Sequence, residues 1–149
     1  MTTRQVLHCG DYRDTLRRVQ ADLIITSPPY NIGSKSPRKD GYRKLGKYDP
    51  KSFGAIRNYP DSLPEREYQD WQVDFLEWCA AHLTKGGVVV YNHKPRHKKL
   101  ALIHPCEWIL RAKSLRLVDE IIWDRGSTHN HCPQTMWQQT ERLYVMCGV

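Results

Sequence analysis

Residues Asp22-Leu23-Ile24-Ile25-Thr26-Ser27-Pro28-Pro29-Tyr30 set the architecture expected of this 149-residue chain. Leu23 to Thr26 is a short apolar run with β-branched residues, led by an acid and stopped by two prolines, which is the pattern of a buried strand. Each proline fixes its own φ and drives the residue before it into extended geometry. The strand therefore ends in a stiff polar turn, Ser27 to Tyr30. In open α/β sheets, ligands bind just past the carboxyl ends of strands.

The turn carries a specific chemistry. Ser27 brings a hydroxyl that can accept a hydrogen bond. The Pro28 carbonyl is a second acceptor, and the prolines bring no N–H to compete for it. Tyr30 offers a flat face for stacking. Two acceptors and one aromatic face suit an exocyclic amino group on a planar base. Such an amine is a poor nucleophile because its lone pair is delocalised into the ring. Acceptors on both of its N–H groups favour a tetrahedral nitrogen whose lone pair points at an electrophile. That stabilises the transition state more than the ground state.

Thr26-Ser27-Pro28-Pro29-Tyr30 resembles the catalytic motif of the amino-methylating (cytosine-N4 and adenine-N6) DNA methyltransferases. These carry Ser, Asp or Asn, then Pro-Pro, then Tyr, Phe or Trp. His8-Cys9-Gly10-Asp11 upstream resembles the segment that precedes this motif in the permuted, β-type members. The resemblance implies S-adenosylmethionine as methyl donor and a target base flipped out of DNA. It implies Ser27, Pro28, Pro29 and Tyr30 as catalytic residues, and Asp11, Thr26 and Ser27 as neighbours of the cofactor. Asp11 reads equally well as the cap of a helix start. Ser rather than Asp at position 27 resembles the cytosine-N4 branch more than the adenine-N6 branch.

Upstream of this stretch, Val6 to Cys9 reads as a strand. Residues 11–19 read as a short helix with Leu16 and Val19 inward. Downstream, residues 31–60 hold no helical or strand period. They carry Lys35, Arg38, Lys39, Arg43, Lys44, Lys47, Lys51 and Arg57 against only Asp40 and Asp49, with Tyr42, Tyr48 and Tyr59 interleaved. A loop this long inside a domain is usually functional or disordered. Basic charge with aromatic faces suits a nucleic-acid backbone and an unstacked base. By the resemblance this segment closes over DNA, with Lys35, Arg38, Lys39, Arg43, Lys44 and Lys47 as contacts. The plainer reading is a solvated loop whose charge aids solubility.

The period then becomes helical from Glu65 to Leu83, with Tyr68, Trp71, Phe75, Trp78 or Cys79, and Leu83 forming an amphipathic stripe that reads as core. Gly86-Gly87 is expected to stop that helix. Gly87 to Asn92 follows as a buried strand, with Asn92-His93-Lys94 at its carboxyl end on the rim of a site. The basic run Lys94 to Lys99 suits either phosphate contact or a solvated turn. A helix is expected over Pro105 to Ser114, with Trp108, Ile109 and Ala112 inward. A strand over Leu115 to Trp123 ends in Trp123-Asp124-Arg125-Gly126. A polar loop then leads to a strand over Glu141 to Met146. These last two strands resemble the antiparallel pair at the far edge of the methyltransferase sheet. His129, His131 and Cys132 lie close together but fit no metal template, so no metal is expected.

Composition narrows the remaining choices. The net charge of +7 favours a polyanionic partner, here DNA. The five cysteines are odd in number and include no CxxC pair, which argues against a disulfide framework or a zinc ribbon. There is no apolar run of membrane length and no signal-peptide pattern, so a cytoplasmic location is expected. The whole reads as one α/β domain, residues 1–149. Its expected sheet is mostly parallel, with helices on both faces and an antiparallel edge. By the resemblance this is an incomplete Rossmann-like methyltransferase fold. The family's glycine-rich cofactor turn is missing, and Gly86-Gly87 precedes a strand instead of leaving one for a helix. The expectation is therefore a catalytic half whose cofactor half comes from a second chain or a second copy. The alternative is a catalytically inactive nucleic-acid-binding protein.

Overall fold

A computed structural model describes residues 4–31, 62–98, 101–126 and 139–149. The elements run in the order α1 (Tyr12–Thr15), β1 (Ala21–Thr26), α2 (Glu65–Ala81), β2 (Leu83–His93), β3 (Arg96–Lys98), β4 (Ala101–Ile103), α3 (Cys106–Ile109), β5 (Leu115–Asp124) and β6 (Thr140–Gly148). Four strands form one sheet in the order β1-β2-β6-β5, and β3 and β4 form a small separate hairpin.

Among the described residues only β1 and β2 run parallel; β2 with β6 and β6 with β5 are antiparallel. The antiparallel edge is present, but the expected mostly parallel sheet is corrected to a mostly antiparallel one. The reason lies in the connections. Between β1 and β2 the long α2 carries the chain back for a parallel crossover. After β5, no such helix intervenes among the described residues, and the chain returns on β6 directly alongside.

α2 forms because its buried positions, Tyr68, Gln72, Leu76 and Cys79, recur at steps of four, four and three and so share one face. That face packs with Val89 and Tyr91 of β2, Tyr144 and Met146 of β6, Leu115 of β5, and Trp108 and Ile109 of α3. Trp71, Phe75 and Trp78 are partly buried against this core, as the stripe in the sequence suggests. Tyr12 of α1 meets Phe75 and Trp78 edge-on, which puts α1 beside α2.

Helices on both faces are therefore not observed among the described residues. The reverse face carries Leu23 and Ile25 of β1, which are 53% and 69% exposed. Among the described residues β1 is thus an edge strand, partly buried on one side through Ile24, and not the fully buried strand its composition suggests. Val6 to Cys9 is exposed and not a strand, and α1 is one turn long with Val19 left at the surface. These segments have too few apolar partners to bury, so local pattern does not become structure.

Gly86 and Gly87 do not stop α2, which ends at Ala81; both lie inside β2. Gly86 adopts φ 82°, and a Cβ on Gly87 would stand 3.0 Å from the Ala21 carbonyl. The pair thus bends β2 and lets β1 approach it. The expected Pro105–Ser114 helix shrinks to α3, although Trp108, Ile109 and Ala112 are buried as anticipated.

Candidate active site

Ser27, Pro28, Pro29 and Tyr30 leave the carboxyl end of β1 and, together with Asn92, Trp123 and Glu141, line a cleft of about 540 Å³. That volume lies within the range of small-ligand sites. Parallel pairing of β1 with β2 places Thr26 opposite Tyr91, so the ends of both strands open into the same space. Trp123 and Glu141 are cross-strand partners on β5 and β6 and close the far wall.

The cleft contains a compact hydrogen-bonded trio. Ser27 Oγ donates to Asn92 Oδ1 at 3.1 Å, and the Tyr30 hydroxyl donates to the same oxygen at 2.6 Å. The two hydroxyls are 3.1 Å apart. Burial pushes the Tyr30 phenol up, against a smaller opposing effect from Ser27, which keeps it protonated as a donor. Arg125 donates to Glu141 at 2.7 Å and so covers one side of that carboxylate.

Behind the turn lies a second layer. The Tyr68 hydroxyl stands 2.7 Å from the Pro29 carbonyl and 2.7 Å from His93 Nε2, and its one proton is shared between these two acceptors. His93 Nδ1 is 2.8 Å from the Lys94 carbonyl, which can only accept, so the ring proton sits on Nδ1. Tyr30 packs on His93 at 4.5 Å between ring centroids, and Lys94 Nζ stands 5.8 Å over the Tyr30 ring. The turn is thus held at the Pro29 carbonyl and at the Tyr30 ring by residues from α2 and β2. Among the described residues, no hydrogen bond takes the Pro28 carbonyl.

His93 is fully buried, and burial pushes its imidazole down from 6.5 to about 3. Between those values the unfolded chain holds a proton that the folded chain does not, so this site's stability is intact above 6.5 and drains away as pH falls toward 3. His93→Gln is expected to flatten the acid side of the stability profile. Urea midpoints measured from about pH 7 to about pH 4 check this, and an unchanged slope in the variant would contradict it.

The other expected residues fall as follows. Asp11 caps α1 through the Arg13 backbone N–H at 2.9 Å and pairs with the Arg13 side chain at 2.6 Å. The Arg13 side-chain hydrogen bond holds the Asp11 carboxyl down at about 2. Thr26 is the last residue of β1, next to Ser27. Lys35, Arg38, Lys39, Arg43, Lys44 and Lys47 lie outside the described residues, as do His129, His131 and Cys132. In the basic run after β2, Arg96 is not a phosphate contact. Its side chain is 6% exposed and pairs with Glu65 at 2.8 Å, with Lys98 3.4 Å from the same carboxylate.

Asn92, Trp123 and Glu141 are the site residues that sequence reasoning did not assign a role. Asn92 was placed only at the rim. Its signal was its position at the carboxyl end of the strand after a βαβ crossover, where sites collect. Trp123 and Glu141 read only as the ends of two strands resembling the family's antiparallel pair, because their place in the cleft depends on the return of β6.

Residues 21–146 match the DNA methylase family of N6 and N4 amino methyltransferases. The chain is also 33% identical over 100 residues to a tRNA (guanine(10)-N(2))-methyltransferase of Dictyostelium discoideum, an alignment covering 65% of this chain and 20% of that relative. The chain therefore spans about a fifth of the length of the curated relative it matches. Among the described residues no helix is long and apolar enough to cross a membrane.

Proposed function

The chain belongs to the DNA methylase family, and from that premise we propose that it holds the exocyclic amine of a base flipped out of DNA for methylation, cytosine N4 in preference to adenine N6. The observation that carries this reading is the trio of Ser27, Tyr30 and Asn92 beside the Pro28 carbonyl, in a cleft the size of a small-ligand site. Ser27 Oγ and the Pro28 carbonyl accept the two amine N–H groups. Their pull favours a tetrahedral nitrogen, whose lone pair is then free to attack. Tyr30 stacks on the base, and Trp123, about half exposed on the far wall, offers a second aromatic face. Ser in place of Asp at position 27 resembles the cytosine-N4 branch, which favours cytosine.

S-adenosylmethionine, when bound, supplies an electrophilic methyl group. The described residues do not build a cradle for it. They hold no glycine-rich turn that leaves a strand and enters a helix, and the Asp11 carboxylate is engaged by Arg13. The described residues form the amine-holding side of the site, and the cofactor side lies beyond them.

The test is transfer of labelled methyl from S-adenosylmethionine to DNA oligonucleotides bearing cytosine or adenine as the only amino base, with a tRNA transcript in parallel. Label on cytosine DNA supports the reading. Label on tRNA alone would move the substrate to RNA, the substrate class named for the Dictyostelium relative. Calorimetric titration with the cofactor comes first: binding without transfer, or neither, supports the non-catalytic nucleic-acid-binding alternative for this chain by itself.

A further inference from the structure

We propose that Asn92 is the positioning residue that makes Ser27 an acceptor and nothing else toward the cleft; this rests on the amine-holding reading of the site. A serine hydroxyl is ambivalent, with one proton to give and two lone pairs to receive with. A proton aimed into the cleft would meet the amine N–H head-on and repel it. An aspartate at position 27 would not face this problem, since an ionised carboxylate only accepts. A serine there needs somewhere to send its proton.

Asn92 supplies that destination. Its Nδ2 donates to the Arg142 carbonyl at 3.3 Å, and a carbonyl can only accept, so the amide is oriented with Oδ1 toward the two hydroxyls. Two protons and one hydroxyl–hydroxyl contact then allow few arrangements. Ser27 donates to Asn92 or to Tyr30, while Tyr30 donates to Asn92 or to Ser27. With Asn92 as the terminal acceptor, the Ser27 proton is consumed inside the trio in every one of these chains. The serine lone pairs are what remain for the cleft. Asn92 is 9% exposed, so bulk water does not compete freely for its oxygen. Being neutral, it removes no proton from Ser27; it sets the direction of the hydrogen bond and leaves the charge alone.

The experiment uses the full chain and fluorescein-labelled, single-stranded oligo-dC and oligo-dU, read by polarisation. The two probes carry the same backbone charge. They differ where the base offers an amine or a carbonyl, so binding through basic side chains cancels in the ratio. The wild type is expected to prefer oligo-dC by about tenfold, the scale of one hydrogen bond made against one opposed. Asn92→Leu is expected to erase the preference by weakening oligo-dC binding about tenfold. Asn92→Asp, which keeps acceptor oxygens facing the hydroxyls, is expected to retain it. A purely structural role for Asn92 would weaken both probes together. Should Asn92→Leu fail to fold, Asn92→Ser, too short to reach, takes its place. A preference that persists without the Asn92 oxygen, or that is missing from the wild type, overturns the proposal. Methyl transfer to the same oligo-dC is scored separately. An Asn92-dependent preference without transfer leaves this proposal standing and counts against methyl transfer by this chain by itself, and transfer without the preference does the reverse.

Discussion

Tyr30→Ala is expected to lower methyl transfer to DNA by about a hundredfold or more while the chain stays folded. Base–aromatic stacking is worth about 1–3 kcal/mol. The variant also loses the hydroxyl that donates to Asn92 at 2.6 Å, worth about another 1 kcal/mol. Every 1.36 kcal/mol is about tenfold in rate, so the two losses together reach the expected range. Folding is spared because Tyr30 is half-buried at the mouth of the cleft and belongs to no buried cluster of the core. Tyr30→Phe separates the two contributions. It keeps the ring against His93 and is expected to lose only about fivefold, the share of one hydrogen bond. Turnover by Tyr30→Ala that matches the wild type would remove the stacking role, whatever its cause.

Trp108→Ala is expected to cost about 3–5 kcal/mol of stability, the usual range for emptying a large aromatic site in a core. Trp108 is fully buried. Its ring meets Tyr68 edge-on at 5.8 Å and His93 at 5.0 Å, and the Arg96 guanidinium lies 5.7 Å from its centre. Its Nε1 donates to the Tyr91 hydroxyl at 3.0 Å, which in turn donates to Gln72 Oε1 at 2.6 Å. The truncation therefore opens a cavity and also leaves a buried phenol short of one partner. A loss of this size is a large fraction of the total stability of an ordinary domain, about 5–15 kcal/mol. It should appear as a lower urea midpoint with an unchanged slope. A shift worth less than about 1 kcal/mol would mean that the site collapses or that Trp108 is not the keystone its contacts suggest. Because His93 packs between Trp108 and Tyr30, the variant should also loosen the cleft.

Much of the site was legible from the turn alone. Two prolines after an apolar strand leave few conformations for Ser27 to Tyr30, and the residues of the turn line one cleft. The fold was legible where a segment's own pattern settles its partner. α2 announced itself through nineteen residues of helical spacing, about five turns, and β2 through Val88, Val89 and Val90. It was not legible where two outcomes share one pattern. Leu23 and Ile25 look buried by composition, yet they lie on a face that no described element covers. Gly86-Gly87 looks like a helix stop, yet it serves the approach of β1 to β2. Arg96 looks like a surface cation, yet it is buried against Glu65.

Sequence by itself determined the family, the strand that ends in Ser27-Pro28-Pro29-Tyr30, and the long crossover helix that follows. These rest on local restraints: proline φ, β-branched packing and helical periodicity act within a few residues. The antiparallel edge was expected, but tertiary structure alone decided that β6 inserts between β2 and β5, and with that the membership of the cleft. Asn92 gains its orientation from the Arg142 carbonyl only when β2 and β6, about fifty residues apart, pair backbone to backbone, and Trp123 gains its place when β5 pairs with β6 at Glu141. The side-chain pattern of a strand does not say which neighbour it takes, so the strand order had to be seen in three dimensions.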